Sequence, residues 1–318
     1  MSRSILVLGA GGFIGRHVTA CLAASDWARP IATGRHLPAG RTEKGTSLRL
    51  DITDEAALER ILAGVDGVVN CMAGPPPAVQ CGYETLFRAA EKAGRPVIVH
   101  LSSMAVYGNA TGLIGEDAGL DDGQGPYAVA KLAGERLAAD YRRSIVLRPG
   151  CVYGPGGEQW SGRIARLLKA RRIGDLGAGG DGIANLVHVE DVARAVLAAL
   201  QNERAEGRAF NLAMTGAPTW NDYFLQFAKA LGAVPIARIS ERRIAFETRF
   251  IAAPLKIAEI ASHRLGLAAD RLPPPIPPSL ARLWRQEIRL DSSRAEETLA
   301  MRWKPLAEGL AETAAWYG

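Results

Sequence analysis

At 318 residues, 48% apolar and 22% charged, the chain has enough material for a large buried core, divided into a main domain and a smaller lobe. No apolar run is long enough to span a bilayer, and the first strand begins too close to Met1 for a signal peptide, so an integral membrane segment is excluded and a cytoplasmic protein is expected. Lys and Arg outnumber Asp and Glu by 38 to 33, a formal net charge of +5, but they are scattered without a run interleaved with aromatics, which argues against a nucleic-acid partner.

In chain order the first element is a buried strand, Ile5 to Leu8, which breaks on Gly9-Ala10-Gly11-Gly12-Phe13-Ile14-Gly15 and reopens as a helix near Arg16. Gly9 permits the tight turn, Gly12 lets backbone N–H groups approach a pyrophosphate, and Gly15 lets the helix pack closely on the sheet. The spacing is G-x-x-G-x-x-G, and its context of strand, glycines and helix reads as a dinucleotide site. Further strands are expected at Pro30 to Thr33, Ser47 to Leu50, Gly67 to Cys71, Pro96 to Leu101, Ser144 to Leu147 and Ala209 to Leu212, with amphipathic helices between most of them. That alternation predicts an α/β fold with a Rossmann-type, doubly wound parallel sheet. Asp54 is placed to cap a helix beginning at Glu55.

The end of the second strand reads Ala32-Thr33-Gly34-Arg35, with glycine where an NAD site usually carries an acid. Arg35 can clamp a 2′-phosphate, so NADP(H) is favoured over NAD(H); the alternative is an Arg35 that only reaches into solvent. After the fifth strand comes Ser102-Ser103-Met104-Ala105-Val106-Tyr107-Gly108, and later Pro126-Tyr127-Ala128-Val129-Ala130-Lys131. Tyr-x-x-x-Lys on a helix projects both side chains from one face, about one turn apart. A free phenol has a pKa of about 10, and a fixed ammonium nearby would stabilise the phenolate, making Tyr127 a general acid/base. Ser103 would bond the same substrate oxygen, and Lys131 would also hold the cofactor ribose.

Together these residues resemble the extended short-chain dehydrogenase/reductase family, also called the NAD-dependent epimerase/dehydratase family. The resemblance also covers Leu147-Arg148-Pro149-Gly150-Cys151-Val152-Tyr153-Gly154, Val187-His188-Val189-Glu190-Asp191-Val192-Ala193 and Trp303-Lys304-Pro305. It implies catalytic Ser103, Tyr127 and Lys131. It implies a cofactor lined by Gly9, Gly12, Phe13, Ile14, Gly15, Arg35, Asp51, Ile52, Ala73, Pro149 and Val152, besides Tyr127 and Lys131. Met104, Cys151, Trp160 and Arg163 fall toward the substrate, although packing is the favoured role for Cys151 and a solvated helix face for Arg163 and Arg166.

Residues 1–154 and 177–215 are expected to form the dinucleotide-binding domain, and 155–176 and 216–318 a mainly helical substrate lobe. Within the lobe, Leu272 to Pro278 reads as a stiff extended connector, and residues 249–267 as an amphipathic helix, either a lid or a membrane-touching surface, the former being favoured. Of the four cysteines, none shows C-x-x-C spacing, and burial is the default; no metal site is expected. Where related 4,6-dehydratases carry an Asp-Glu pair, this chain has Met104-Ala105, and where sugar-nucleotide enzymes carry a diphosphate-binding Arg it has Ile183-Ala184-Asn185-Leu186. The expectation is an NAD(P)-dependent epimerase/dehydrogenase acting on a secondary alcohol or ketone. The alternatives are an NADPH-dependent reductase of a non-nucleotide ketone or aldehyde, steroid-dehydrogenase-like, and a non-catalytic NADP-binding sensor. The partner is a small-molecule substrate, and a homodimer is left open.

Overall fold

The alternation is realised in a computed structural model that describes residues 2–35, 37, 39–42, 45–121, 123, 125–264 and 273–318. Strands β1 (Arg3–Leu8), β2 (Ala28–Gly34), β3 (Gly40–Thr42), β4 (Gly45–Arg49), β5 (Gly67–Asn70), β6 (Val97–Leu101) and β7 (Gly112–Ile114) interleave with helices α1 (Phe13–Ala24), α2 (Glu55–Leu62), α3 (Pro76–Lys92) and α4 (Pro126–Asp140). Then come β8 (Ser144–Pro149), β9 (Cys151–Tyr153), α5 (Arg163–Lys169), β10 (Leu186–His188), α6 (Val189–Gln201), β11 (Arg208–Leu212) and α7 (Trp220–Ala230). The last stretch holds α8 (Glu241–Phe246), α9 (Ala252–Arg264), α10 (Pro278–Leu283), β12 (Ile288–Leu290), α11 (Ser293–Thr298) and α12 (Leu306–Tyr317).

Among the described residues, eight strands make one sheet in the order β11-β8-β6-β5-β1-β2-β4-β3. Seven are parallel, and β3 pairs antiparallel with β4 at the edge. The seven expected strands are all present, with ends shifted by up to two residues. Strand order reverses between β1 and β5, so the crevice beyond their C-terminal ends is the topological switch point where such sheets take ligands. The register Leu8↔Thr33 and Leu8↔Asn70 brings the segments after β1, β2 and β5 to that one edge.

Alternation along β1 explains the layers. Ile5 and Val7 face α1 and α6, joining Val18, Leu22, Val192, Val196 and Leu200, while Leu6 and Leu8 face the other way with Leu58, Leu86 and Phe87 of α2 and α3. A separate core is aromatic, with Trp220, Tyr223, Phe224 and Phe227 of α7 packed against Ile164 and Leu168 of α5, Trp284, and Leu310 of α12. Asp54 caps α2 as expected, its carboxylate accepting from the Ala57 N–H at 3.0 Å. Two expectations are corrected. Pro278 is the first residue of α10 instead of part of the connector, because the first helical position needs no N–H; Leu272 lies outside the described residues, as do 265–267 of the amphipathic stretch. The cysteines are not uniformly buried: Cys151 is, Cys21 and Cys71 are half-buried, and Cys81 is exposed on the outer side of α3. No helix among the described residues is long and apolar enough to cross a membrane.

Candidate active site

The glycine loop turns where the sequence requires it. Gly9 adopts φ +75°, and a Cβ there would sit 2.7 Å from the Cys71 carbonyl oxygen. A Cβ on Gly15 would collide with the carbonyl oxygen of Gly9, so only glycine lets α1 start this close to β1. At the head of α1, Gly12 leaves the first N–H groups without a side-chain cap, and the first turn carries no acidic residue. Those donors, with the positive end of a three-turn helix, fit the pyrophosphate of a dinucleotide. Gly12, Phe13 and Ile14 line a cavity of about 560 Å³ that runs on to Ala73, Ser103, Tyr127, Lys131, Pro149 and Val152.

Arg35, Asp51 and Ile52 lie outside that lining. Arg35 is exposed just beyond β2, and the Asp51 carboxylate accepts from the Thr53 N–H at 3.0 Å and hydroxyl at 2.8 Å. Those bonds, and less so the charge of Arg35, hold Asp51 below the usual carboxylate range.

Ser103, Tyr127 and Lys131 converge at the ends of β6 and α4. Tyr127 is 51% exposed, its ring open to the cavity, and Ser103 lies beside its hydroxyl, close enough to favour the phenolate. Lys131 is buried beneath it, with Nζ donating to the Leu101 carbonyl at 2.7 Å and to the Tyr83 hydroxyl at 3.0 Å, and 5.9 Å from the Tyr127 ring centroid. The expected electrostatics are corrected here. Desolvation raises the Tyr127 phenol above its ordinary value, offset only in part by Ser103, and burial lowers Lys131 to about 8. The ammonium is spent on Leu101 and Tyr83, so in this geometry it does not draw Tyr127 toward the phenolate.

Beneath the site lies a buried polar network absent from the sequence reading. Glu135 of α4 takes a bidentate contact from Arg148 of β8 and accepts from the Ser102 hydroxyl next to Ser103. Arg148 also donates to the Tyr107 hydroxyl and the Glu116 carbonyl, each at 2.8 Å, and Tyr107 donates to Asn211 at 2.6 Å. Ser102, Tyr107 and Arg148 fall inside motif segments, but nothing in the sequence joined them to one another or to Glu135, Glu116, Asn211 and Tyr83, which meet only through the fold.

The far wall of the cavity is apolar. Met104, Trp160, Pro277, Leu280, Leu283 and Ile288 line it, with Gln159, Ser279, Gln286 and Arg163 as its polar groups. Arg163 donates to the Pro275 carbonyl at 2.9 Å. Trp160 stacks obliquely on Trp220, ring centroids 5.4 Å apart, and Cys151 is buried with its thiol pushed up by desolvation. Asn185 is wholly buried and faces β12, donating to Ile288 O and accepting from the Leu290 N–H, both at 2.8 Å. Elsewhere His188, Glu190 and Glu312 converge, with Lys304 Nζ donating to both carboxylates at 2.7 Å and offsetting part of their charge.

Comparison with known proteins agrees with this geometry. The pattern of the NAD dependent epimerase/dehydratase family matches residues 5–213. The chain is 32% identical over 232 residues to dTDP-4-dehydrorhamnose reductase of Mycobacterium tuberculosis, covering 68% of this chain and 71% of that protein. It is 26% identical to 2-alkyl-3-oxoalkanoate reductase of Stenotrophomonas maltophilia over 322 aligned residues, covering 94% and 90%. In structure it is similar to UDP-glucuronic acid 4-epimerase from Bacillus cereus, in complex with NAD, with TM-score 0.73, 20% identity, and coverage of 99% of this chain and 96% of that one.

Proposed function

The chain belongs to the NAD-dependent epimerase/dehydratase family, and within it we propose that this enzyme is an NADP(H)-dependent reductase of a non-nucleotide ketone. The observation that carries this reading is Tyr127 and Ser103 sharing one cavity above Lys131, with an opposite wall lined by Met104, Trp160, Leu280, Leu283 and Ile288. A bound reduced nicotinamide supplies hydride to the carbonyl carbon. The chain supplies the proton: Tyr127 gives its hydroxyl proton to the substrate oxygen as the carbonyl becomes an alcohol, and Ser103 donates a hydrogen bond to that oxygen. Gly9, Gly12 and Gly15 admit the pyrophosphate, Lys131 sits below the ribose position, and Arg35 is assigned to a 2′-phosphate. Residues 1–154 and 177–215 are assigned to the cofactor, and 155–176 and 216–318 to the substrate.

The substrate reading draws on Asn185 and Arg163. Asn185 stands where an anchoring Arg is expected and is engaged with β12, and Arg163 is tied to Pro275. The Stenotrophomonas relative is named for reducing an alkyl oxo acid, which suits the apolar wall. The second reading, a nucleotide-sugar enzyme, is favoured by the Mycobacterium relative and the Bacillus structure. Denaturing the purified protein, identifying any released nucleotide and following NADPH consumption with alkyl and aryl ketones separates the two. Freely exchanging NADPH and turnover of apolar ketones are expected; tightly retained NAD with interconversion of nucleotide sugars would overturn the proposal. Cofactor choice is tested separately. Replacing Arg35 by Ala should weaken NADPH about ten- to a hundredfold and NADH much less, and equal wild-type affinities for the two would refute the NADP(H) assignment.

A further inference from the structure

A lysine ammonium carries three protons, and the fold disposes of two of those on Lys131. One goes to the Leu101 carbonyl at 2.7 Å and one to the Tyr83 hydroxyl at 3.0 Å, while Lys131 itself lines the cavity, which leaves the third on the cofactor side. Tyr83 comes from α3, 48 residues earlier in the chain, and is wholly buried.

The ring that presents this hydroxyl is itself held in place. It stands edge-on to His100, centroids 4.7 Å apart. His100 Nδ1 lies 3.0 Å from the Asn70 amide nitrogen, and Asn70 Oδ1 accepts from the Met72 N–H at 3.2 Å. An amide whose oxygen is taken presents its N–H groups to the imidazole, so three side chains form one series from the end of β5 to the ammonium. Helix α4 makes room for them with a glycine: a Cβ on Gly134 would lie 2.7 Å from the His100 ring and 2.8 Å from that of Tyr83. Glycine weakens a helix interior, and this packing accounts for its place one turn beyond Lys131. Burial pushes the Tyr83 phenol well above its ordinary value, which keeps it neutral at physiological pH. A neutral oxygen orients the ammonium without cancelling its charge, as a carboxylate there would.

We propose that Tyr83 is a positioning residue, whose hydroxyl fixes the Lys131 ammonium so that the remaining N–H meets the ribose of the bound cofactor. The proposal rests on the assignment of Lys131 to the ribose and is independent of which ketone is reduced. The other groups facing Lys131 are Tyr127 and Glu135 of α4, Cys71 after β5 and His100 of β6. Glu135 is held by Arg148, Tyr127 is raised, and desolvation pushes Cys71 up to about 12 and His100 down to about 3. Lys131, lowered to about 8, is therefore the group of this set that titrates near neutrality.

The test is calorimetric titration of wild type, Tyr83→Phe, Lys131→Met and the double variant with NADP⁺, or with NAD⁺ should that bind more tightly, across about pH 6 to 9. Removing the phenolic oxygen takes an acceptor from the charged form of Lys131 alone. The alkaline loss of affinity should then begin about one to two pH units lower in Tyr83→Phe. At pH 7 that variant should bind about two- to tenfold more weakly than wild type, and the two should converge as pH falls. In the Lys131→Met background Tyr83→Phe should change nothing, because the group it acts through is gone. A deficit equal at every pH, a deficit that persists without Lys131, or wild-type affinity throughout overturns the proposal and leaves Tyr83 a packing residue. Wild-type affinity in Lys131→Met overturns the ribose assignment as well. Thermal melting shows which variants are folded; if Tyr83→Phe is not, the comparison of Lys131→Met with the double variant, which lacks the buried charge, still decides.

Discussion

At the scale of single residues, the proposed chemistry rests on one proton donor, Tyr127, and one buried cation, Lys131. Replacing Tyr127 by Phe keeps the ring and removes the proton, so kcat should fall about 10²- to 10⁴-fold while cofactor affinity stays nearly constant; stopped-flow turnover with parallel fluorescence titration checks both halves. Lys131 makes a pH prediction whose sign follows from its lowered pKa. Below about 8 it is charged in the folded and unfolded chain alike, and its buried charge is a standing cost to the fold. Between about 8 and the ordinary value of 10.5, only the unfolded chain binds the proton, so stability should rise with pH across that window. The gap between wild type and Lys131→Met, measured by denaturant unfolding, should shift in favour of wild type by about 3 kcal/mol over the window. A flat difference would show that Lys131 is not held near 8. Cofactor affinity of the wild type should weaken over the same rise if Lys131 holds the ribose as proposed, because its ammonium is discharged.

At the scale of elements, the sheet and its helices place the triad, and α4 is locked to β8 by Glu135 and Arg148, each with a side chain only 6% exposed. Removing one partner of such a pair leaves an uncompensated buried charge. Replacing Glu135 by Ala should therefore cost about 3 to 5 kcal/mol in urea unfolding, and Glu135→Gln less. A loss below about 1 kcal/mol would mean that Arg148 finds other partners. The element scale also shows why legibility was uneven. β1, β5, β6 and β8 are buried on both faces and carry the apolar runs Ile5 to Leu8, Val68-Val69, Val97 to Val99 and Ile145 to Leu147, legible in the sequence. β9, β10, β7 and β12 are three-residue strands whose partners lie far along the chain, as in Ile288↔Gly112, and no local pattern announces them.

At the scale of the whole molecule, the proposed substrate class rests on what the second core brings to the cavity wall. The chain carries Asn185, bonded to β12, near the position where a diphosphate-binding Arg is expected, and α10 contributes Leu280 and Leu283 to the wall. Free UDP and dTDP should accordingly bind only weakly, and nucleotide-activated hexoses should not undergo 4,6-dehydration. Micromolar binding by calorimetry, about −8 kcal/mol, would return the nucleotide-sugar reading to first place. The sequence by itself determined the sheet, the glycine turn and the Ser103, Tyr127 and Lys131 set, because strand burial, positive φ and i,i+4 spacing on a helix are local properties written in neighbouring residues. Tertiary structure alone decided that Lys131 bonds Leu101 and Tyr83 and that Asn185 faces β12. Each depends on desolvation and on partners 30 to 105 residues away, which folding brings within hydrogen-bond reach and sequence spacing does not encode.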